Sequence, residues 1–113
     1  MKHHPLSQAT IHDNSSTCTV YEYGAGDQLD MAVAEINGRY PEQGYVSNEV
    51  SEEAVYVIAG IGRLVTKDSE VALAPGDAAF IAANEAYYFE GDTLKVAISC
   101  TPPWSPVQHK EVA

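Results

Sequence analysis

The chain has 113 residues, 45% of them hydrophobic, which is typical of a single globular domain with its own apolar core. Six Lys and Arg residues against sixteen Asp and Glu residues give a net charge of −10, which disfavours nucleic acid and anionic membrane surfaces as partners. No apolar segment of signal-peptide or membrane-span length is present, so we expect a cytoplasmic protein.

Residues 1–16 are polar, with His3, His4 and His12 scattered among Ser, Gln and Asn. Because polar residues at a chain end rarely pack, we expect a flexible arm or a poorly paired leading edge. Adjacent histidines in such a position are usually solvated, so we do not expect His3 and His4 to bind a metal.

Two strands are predicted next along the chain. Residues 17–23 are rich in Thr, Val and Tyr, and a turn signal containing Gly and Asp follows them. Residues 30–37 fit a helix or a strand by composition, and we favour a strand because Asn37-Gly38 is a strong turn signal. Residues 39–44 contain a proline and a glycine and should form a loop.

The stretch 45–62 combines an alternating strand, three carboxylates and a glycine corner. Its first part alternates, with Tyr45, Ser47 and Glu49 on one side and Val46, Asn48 and Val50 on the other. An apolar run then predicts a buried strand, and two glycines predict a sharp corner at 60–62. Ionisable groups beside a hydrophobic wall either reach solvent at a rim or sit inside with shifted pKa values and a function.

Short strands at regular spacing follow this stretch. The predicted strands are 63–66, 70–73, 78–81, 87–90 and 94–100. Turn residues separate them, including Gly91-Asp92 between the last two. This spacing with little helix predicts an all-β domain, either a jelly roll or a small barrel.

The proline-rich segment 101–106 cannot continue a strand ladder. We expect it to leave the last strand and cross the surface, with Trp104 as its anchor. The predicted organisation is therefore an arm at 1–16, a barrel at 17–101 and a tail at 102–113 that packs on the barrel or on a dimer partner. Two cysteines fit a cytoplasmic protein as reduced thiols, a disulfide between them being the alternative.

The central stretch resembles the first sequence motif of the cupin superfamily, small β-barrels of the double-stranded β-helix type. In that motif a Gly precedes two His separated by one residue, a Glu follows, and a second Gly comes after six more residues. Glu53 and Gly60 fit the second half of the motif. The first half departs from it, because the His positions fall on Ser47 and Glu49 and the opening Gly falls on Pro41.

Residues 76–87 resemble the second cupin motif. Gly76 matches, and the closing His falls on Tyr87. The fifteen residues between Gly60 and Gly76 are about the shortest spacing in the superfamily. The tail sequence CTPPWSPVQH is also similar to that of small bacterial cupins without assigned activity. The resemblance implies an all-β cupin jelly-roll barrel.

The resemblance also bears on metal binding. In an ordinary cupin, three His and one Glu hold a divalent transition metal, and three of these four donors are replaced here. Glu49 and Glu53, with water, would suit only a harder ion such as magnesium, manganese or calcium. We therefore predict no cofactor, with a divalent metal held by these two carboxylates as the alternative.

Acid–base chemistry is the other use of these residues. Two converging carboxylates cannot both ionise cheaply, so one should keep a proton at neutral pH. The predicted catalytic residues are Glu49, Glu53 and Tyr87, and the predicted ligand-binding residues are Ser47, Tyr45, Tyr88 and Cys100. Structural interpretations stand beside these: a solvated turn at 52–53, core-edge packing of the two tyrosines and simple packing of the cysteine. His109 is expected to contribute only if the tail folds back over the barrel mouth.

The sequence therefore predicts a small-molecule-binding cupin with a metal-free pocket, assembled as a homodimer. By analogy with metal-free cupins it would be an isomerase or epimerase acting on a polar metabolite or carbohydrate derivative. The alternatives are a non-catalytic sensor or structural homodimer, and a carboxylate-ligated metal enzyme. No phosphate-binding glycine loop, nucleophile elbow or zinc-spaced cluster of Cys and His is present.

Overall fold

The computed structural model describes all residues from 1 to 113, and most of them lie in strands. The strands are β1 (Thr10–Ser15), β2 (Cys18–Ala25), β3 (Asp30–Tyr40), β4 (Tyr45–Asn48), β5 (Glu52–Thr66), β6 (Glu70–Leu73), β7 (Ala78–Ile81), β8 (Tyr87–Thr101) and β9 (His109–Val112). Two short 3₁₀ turns complete the fold, at Leu6–Gln8 and Pro106–Gln108. Neither has the length or the apolar character that a bilayer-spanning helix requires.

Strand β8 is the centre of one antiparallel sheet of nine strands. The sheet runs in the order β1-β2-β3-β8-β4-β9, and β5 pairs with β6, β7 and β8. Because β8 is fifteen residues long, it pairs with both β3 and β5 over most of its length. The sheet curls around a common interior, which confirms the predicted all-β architecture.

Three predicted turns are wrong, because the chain continues as strand through each of them. Residues 37–38 lie inside β3, 60–62 inside β5 and 91–92 inside β8. The pairing register shifts at these points instead of ending. Gly60 shows why glycine is needed there: its φ is +79°, and a Cβ atom would lie 2.0 Å from the Thr93 carbonyl oxygen. Glycine at this position permits the close approach of two long strands. Glycine is favoured at such contacts as well as in turns, so its presence does not by itself indicate a turn.

The predicted arm is also wrong for Thr10–Ser15. These residues form β1 and pair with β2, from Thr10 opposite Glu22 to Ser15 opposite Cys18. The pairing satisfies the backbone groups that β2 would otherwise expose at the sheet edge. A polar edge strand and a polar arm have similar composition, so composition alone does not separate them.

The hydrophobic core lies on the inner faces of the long strands. It comprises Cys18, Ala34, Ile36, Val46, Val55, Val57, Leu64, Leu73, Ile81, Tyr87, Phe89, Leu94 and Val96. Strand β5 shows the expected period of two, with Glu53, Val55 and Val57 buried and Glu52, Tyr56 and Ile58 exposed. A carboxylate therefore occupies a core-facing position at one end of β5.

The tail leaves β8 after Thr101 and returns to the sheet. Residues 109–112 form β9, which pairs with β4 from Asn48 opposite His109 to Tyr45 opposite Val112. The tail therefore packs on the barrel, and its last part adds a strand to the sheet that the sequence did not predict. The returning strand brings C-terminal side chains to the open end of the curled sheet.

Candidate functional site

A cavity of about 200 Å³ lies inside the curl of the sheet. Its floor is buried and its mouth is exposed. The lining residues are Asn14, Cys18, Val20, Glu22, Gly24, Ala25, Asp30, Met31, Ala32, Ala34, Ile36, Tyr40, Glu53, Tyr87, Phe89, Ile98, Cys100, Pro103, Trp104 and His109. Most of them are apolar, so the few polar groups in the wall determine where a ligand can form hydrogen bonds.

Glu53 is the carboxylate at the floor of this cavity. Its position in β5 points it inward, and only 5% of its surface is exposed. Its pKa is raised to about 7: burial raises it most and the charge of Asp30 adds to this, whereas hydrogen bonding from Tyr87 and Cys100 opposes the rise. Its Oε2 atom is buried with no hydrogen-bond partner. A carboxyl group that titrates near neutral pH can both take up and release a proton there.

Tyr87 and Cys100 lie beside the Glu53 carboxyl. Burial and the neighbouring carboxylate raise the pKa of the Tyr87 hydroxyl well above its ordinary value, although a hydrogen bond from Asn48 opposes this. Burial likewise raises the pKa of the Cys100 thiol. Both groups therefore keep their protons at neutral pH and act as hydrogen-bond donors, and the thiol lacks the thiolate character of a nucleophile.

Asn48 links this floor to the returning tail. Its Oδ1 atom accepts hydrogen bonds from Trp104 Nε1 at 2.9 Å and from His109 Nδ1 at 2.8 Å. The indole nitrogen can only donate, so Oδ1 must be the acceptor and His109 Nδ1 must carry a proton. The Asn48 amide group is then left to donate to Tyr87. One buried asparagine thus orients a tryptophan, a histidine and a tyrosine.

His109 is held as the neutral imidazole. Its Nε2 atom lies 3.1 Å from the Tyr40 hydroxyl, which donates because Nδ1 already carries the proton. Burial lowers the pKa of His109, in agreement with a neutral ring. Burial also raises the pKa of Tyr40 to about 12, so its hydroxyl keeps the proton that it donates.

Asp30 and Gln108 fix the tail over this end of the barrel. Asp30 accepts hydrogen bonds from the backbone N–H groups of Cys100 at 2.7 Å and Trp104 at 2.8 Å. Gln108 Oε1 accepts from the backbone N–H groups of Val50 at 3.0 Å and Ser51 at 2.8 Å. Because both side chains bond to backbone groups of other segments, the tail is part of the cavity wall.

Three of the seven predicted site residues line the cavity: Glu53, Tyr87 and Cys100. Glu49 does not meet Glu53, because β4 ends at Asn48 and the Glu49 carboxylate lies 3.3 Å from Lys110 at the surface. Ser47 is buried but lies outside the cavity wall. The period of two was correct, but it did not show that Asn48 belongs to the functional side.

Tyr45 and Tyr88 form an outer aromatic cluster away from the cavity, with ring centroids 5.5 Å apart. Arg39 lies 3.8 Å from the centroid of the Tyr88 ring, and Lys67 lies 4.6 Å from that of Tyr45. Arg63 is also near Tyr88 and pairs with carboxylates on β6 and β8. The ligand-binding role predicted for Tyr45 and Tyr88 is not supported by this placement.

Four residues of the site were not predicted from the sequence: Asp30, Tyr40, Asn48 and Trp104. His109 was expected to contribute only if the tail folded back, and the pairing of β9 with β4 brings the tail back in this way. The available signal was the Trp and His of the tail motif, which are unusual for a disordered chain end. Nothing in the sequence showed that they would meet Asn48.

The donor set does not fit the metal centre of an ordinary cupin. Of the four motif positions, only Glu53 and Tyr87 reach the cavity, and no three His, Cys, Asp or Glu side chains form a group that could hold a metal ion. His109 has a hydrogen-bond partner on each ring nitrogen. The separation of Glu49 from Glu53 also removes the predicted pair of carboxylate ligands.

No family model and no curated protein matches this sequence, but solved structures do match its fold. The Streptomyces nucleoside dehydratase Pac13 has a TM-score of 0.86 and 13% identity, covering 99% of this chain and 91% of that protein. A Pac13 variant has been solved with uridine.

Two further structures extend this comparison. The polyketide cyclase RemF from Streptomyces resistomycificus has a TM-score of 0.73 and 20% identity, covering all of this chain and 86% of that protein. An RmlC-like cupin from Shewanella frigidimarina has a TM-score of 0.73 and 17% identity, covering 90% of this chain and 92% of that protein. The chain therefore has the cupin fold, which confirms the fold that the two motifs implied.

Proposed function

We propose that this protein binds a small molecule in its barrel and catalyses a metal-free proton shift, as an isomerase would. Glu53 is the proposed acid–base residue, and Tyr87 is its hydrogen-bonding partner. The observation that carries the proposal is a single buried carboxyl with a pKa of about 7 and an unpaired oxygen, Oε2, at the floor of an open cavity.

The cavity volume limits the ligand to about the size of one ring. An apolar cavity of about 150 Å³ holds benzene, so 200 Å³ accommodates a single ring with one or two substituents. Larger ligands would have to extend out of the mouth. Tyr87 does not fill this space, which favours a ligand site over the inert structural homodimer that the sequence left open.

The proposed chemistry requires no oxidant and no second reactant. The Glu53 carboxylate removes a proton from a carbon next to an electron-withdrawing group, and the resulting acid returns it to a neighbouring atom. The net proton balance is zero. A pKa near 7 suits both the removal and the return of the proton, because the carboxyl is partly ionised and partly protonated at neutral pH. Tyr87 donates toward the carboxyl, and Cys100 contacts the ligand from the wall.

The neighbouring structures support small-molecule chemistry in a barrel of this size. Their names describe a nucleoside dehydratase, a polyketide cyclase and an ectoine synthase. The low identities restrict this support to the fold, so the reaction proposed here depends on Glu53. We further propose a cytoplasmic location, for which the unpaired thiols of Cys18 and Cys100 are suited.

Solvent isotope incorporation tests the proposal and does not require the substrate to be identified first. The purified protein is incubated in D₂O with a metabolite extract, and carbon-bound deuterium is detected by mass spectrometry. We expect one metabolite or isomeric pair to gain deuterium with the unmodified protein. Glu53→Gln should lose at least about 100-fold of this rate, since it keeps the shape of the side chain but cannot exchange a proton.

Glu49→Gln is the matched control, because Glu49 lies at the surface beside Lys110. It should incorporate deuterium at the unmodified rate. Equal incorporation by Glu53→Gln and the unmodified protein would show that this carboxyl is not the base. Absence of incorporation by the unmodified protein would favour a binding protein over an enzyme.

A further inference from the structure

All of the Asp, Glu, Lys and Arg side chains that line the cavity are acidic. Its wall contains the carboxylates Glu22, Asp30 and Glu53, and it contains no Lys or Arg. The chain has only six cationic side chains, and three of them lie in the outer aromatic cluster around Tyr45 and Tyr88. The nearest imidazole in the wall, His109, is neutral and fully hydrogen-bonded. A negatively charged ligand would therefore meet like charges and no counter-charge.

The floor of the cavity supplies an independent observation. Only 5% of the Glu53 surface is exposed, and Oε2 is the one fully buried side-chain polar atom of the protein that has no hydrogen-bond partner. A buried acceptor of this kind is costly unless a donor reaches it when the site is in use. The unpaired atom of the carboxylate is therefore available to accept a hydrogen bond from an O–H or N–H group of a ligand.

We propose that the ligand carries no negative charge and donates an O–H or N–H group to Glu53. This inference rests on the proposed function, since it names the substrate class of the same site. It excludes free carboxylic acids, sugar phosphates and nucleotide sugars, whose charged groups would lie in or beside an acidic wall. It selects alcohols and amines of about one ring in size.

Three single-ring probes of similar volume test this inference: benzyl alcohol, benzylamine and benzoate. Binding is measured at pH 8 by ligand-observed NMR and by shifts in the protein spectrum, with cavity residues as reporters. We expect the alcohol, the ammonium or both to bind at least about tenfold more tightly than benzoate. Saturation by the alcohol alone would identify an uncharged ligand, and preference for the ammonium would identify a cation.

Two variants distinguish cavity charge from overall charge. Glu53→Gln should reduce the ratio of the affinities for benzyl alcohol and benzoate several-fold, because this substitution removes one negative charge from the cavity floor. Glu49→Gln removes one negative charge from the surface instead and should leave the ratio of the two affinities unchanged. Benzoate binding as tightly as the alcohol, or failure of all three probes to bind, would overturn the inference. Probe selectivity without deuterium incorporation would leave it standing while removing the proposed catalysis.

A second observation carries an independent proposal about the outer surface of the sheet. A row of register partners crosses six strands: Ile11, Tyr21, Val33, Ala97, Tyr56 and Ala78, on β1, β2, β3, β8, β5 and β7. Phe80 lies beside this row, paired with Ala54. We call these residues the outer apolar row. Phe80 and Tyr56 are 72% and 52% exposed, which is unusual for contiguous aromatic side chains on a monomer.

We infer that the outer apolar row is the contact surface for a second copy of this chain. Six strands at about 4.8 Å spacing span roughly 25 Å, close to the width of a standard interface of about 800 Å² per partner. The larger side chains of Val33 and Tyr56 flank the small Ala97, so each copy of a two-fold dimer can place a side chain over the Ala97 of the other. The next row contains Glu35 opposite Lys95, which two-fold symmetry can pair between copies.

Light scattering coupled to gel filtration tests this surface. The unmodified protein should be a dimer at micromolar concentration, and Phe80→Asp should make it a monomer. Ala97→Lys is a second variant that fills the hollow with a charge. Val107→Asp, at a 78% exposed apolar position in the tail, should remain a dimer. A monomeric unmodified protein, or a dimer that survives both interface variants with an unchanged circular dichroism spectrum, would overturn this inference.

Discussion

Tyr87 and Tyr88 are adjacent in β8, and they lie in two regions with opposite properties. Tyr87 is buried in the cavity floor beside Glu53 and Asn48. Tyr88 belongs to the outer aromatic cluster, where Arg39 covers its ring. Both regions combine aromatic and ionisable side chains, but only the cavity contains a buried side-chain polar atom without a hydrogen-bond partner.

The two arginines of the outer aromatic cluster are held by hydrogen bonds and ion pairs within the protein. Arg39 donates to the carbonyl oxygens of Pro41 at 2.8 Å and Gly44 at 2.9 Å, and Arg63 pairs with Glu90 at 2.8 Å and with Glu70. These two guanidinium groups therefore already have partners within the protein. The difference between the two regions indicates that residue type alone does not mark a site; an unsatisfied buried group at an accessible cavity does.

The largest expected effect of a substitution is at Asn48. Asn48→Ala removes the partners of Trp104 Nε1, His109 Nδ1 and the Tyr87 hydroxyl in one step. At about 1–3 kcal/mol for each buried group left unpaired, we expect a loss of roughly 4 kcal/mol in the free energy of unfolding. Urea denaturation measures it. Ser47→Ala, one residue earlier and outside the cavity wall, is the control, and equal losses for both would contradict the role of Asn48.

Glu53 should make stability depend on pH in an unusual direction. Its pKa is raised from 4.5 to about 7 on folding, so the folded state holds the proton more tightly than the unfolded state. The stabilising contribution is therefore complete below pH 4.5 and is lost as the pH rises through 7. As the pH is raised from 4.5 to 8, the free energy of unfolding of Glu53→Gln should increase by about 3 kcal/mol relative to that of the parent protein.

Denaturation series at several pH values measure this gain. Over the same pH range, the free energy of unfolding of Glu49→Gln should change by less than about 1 kcal/mol relative to the parent, because Glu49 forms an exposed ion pair with Lys110. If Glu53→Gln differs from the parent by a constant amount at every pH, the carboxyl does not hold its proton in the folded state.

Fold and site differed in how far the sequence could predict them. Strands β6 and β7 were predicted at their observed bounds, because alternation and turn residues are local signals. Gly60 was wrongly predicted to form a corner, since glycine is required both at turns and where two strands approach closely. Whether a strand ends therefore depends on a neighbour that the local sequence does not reveal.

The residues of the cavity could be predicted only in part for the same reason. Glu53 and Tyr87 line the cavity because they occupy motif positions that the fold keeps inside the barrel. Glu49 was placed wrongly because alternation defines two faces without showing which one is inward. His109 and Trp104 reach Asn48 only through pairing of β4 with β9, about sixty residues apart.

A smaller effect is expected at Tyr40. Tyr40→Phe removes the donor to His109 Nε2 and leaves the rest of the ring contacts in place. One neutral hydrogen bond is worth about 1 kcal/mol, so thermal denaturation should show a loss of that size. An unchanged midpoint would show that the His109 ring is fixed by Asn48 and Trp104 alone.

The smallest effect is expected in the outer aromatic cluster. Tyr88→Phe keeps the ring beneath Arg39 and removes only a hydroxyl that the cavity does not use. The free energy of unfolding and the affinity for cavity ligands should change by less than about 0.5 kcal/mol. Loss of ligand affinity in this variant would make Tyr88 a site residue after all and blur the distinction between the two regions.

The most direct test of the proposed role of Glu53 is an NMR titration of its side-chain carboxyl. Protein labelled with ¹³C in glutamate is titrated from pH 4 to pH 9, and the Glu53 signal is assigned by its absence in Glu53→Gln. We predict a midpoint near pH 7, because burial disfavours the carboxylate. A midpoint near 4.5, the ordinary value for glutamic acid, would contradict that role.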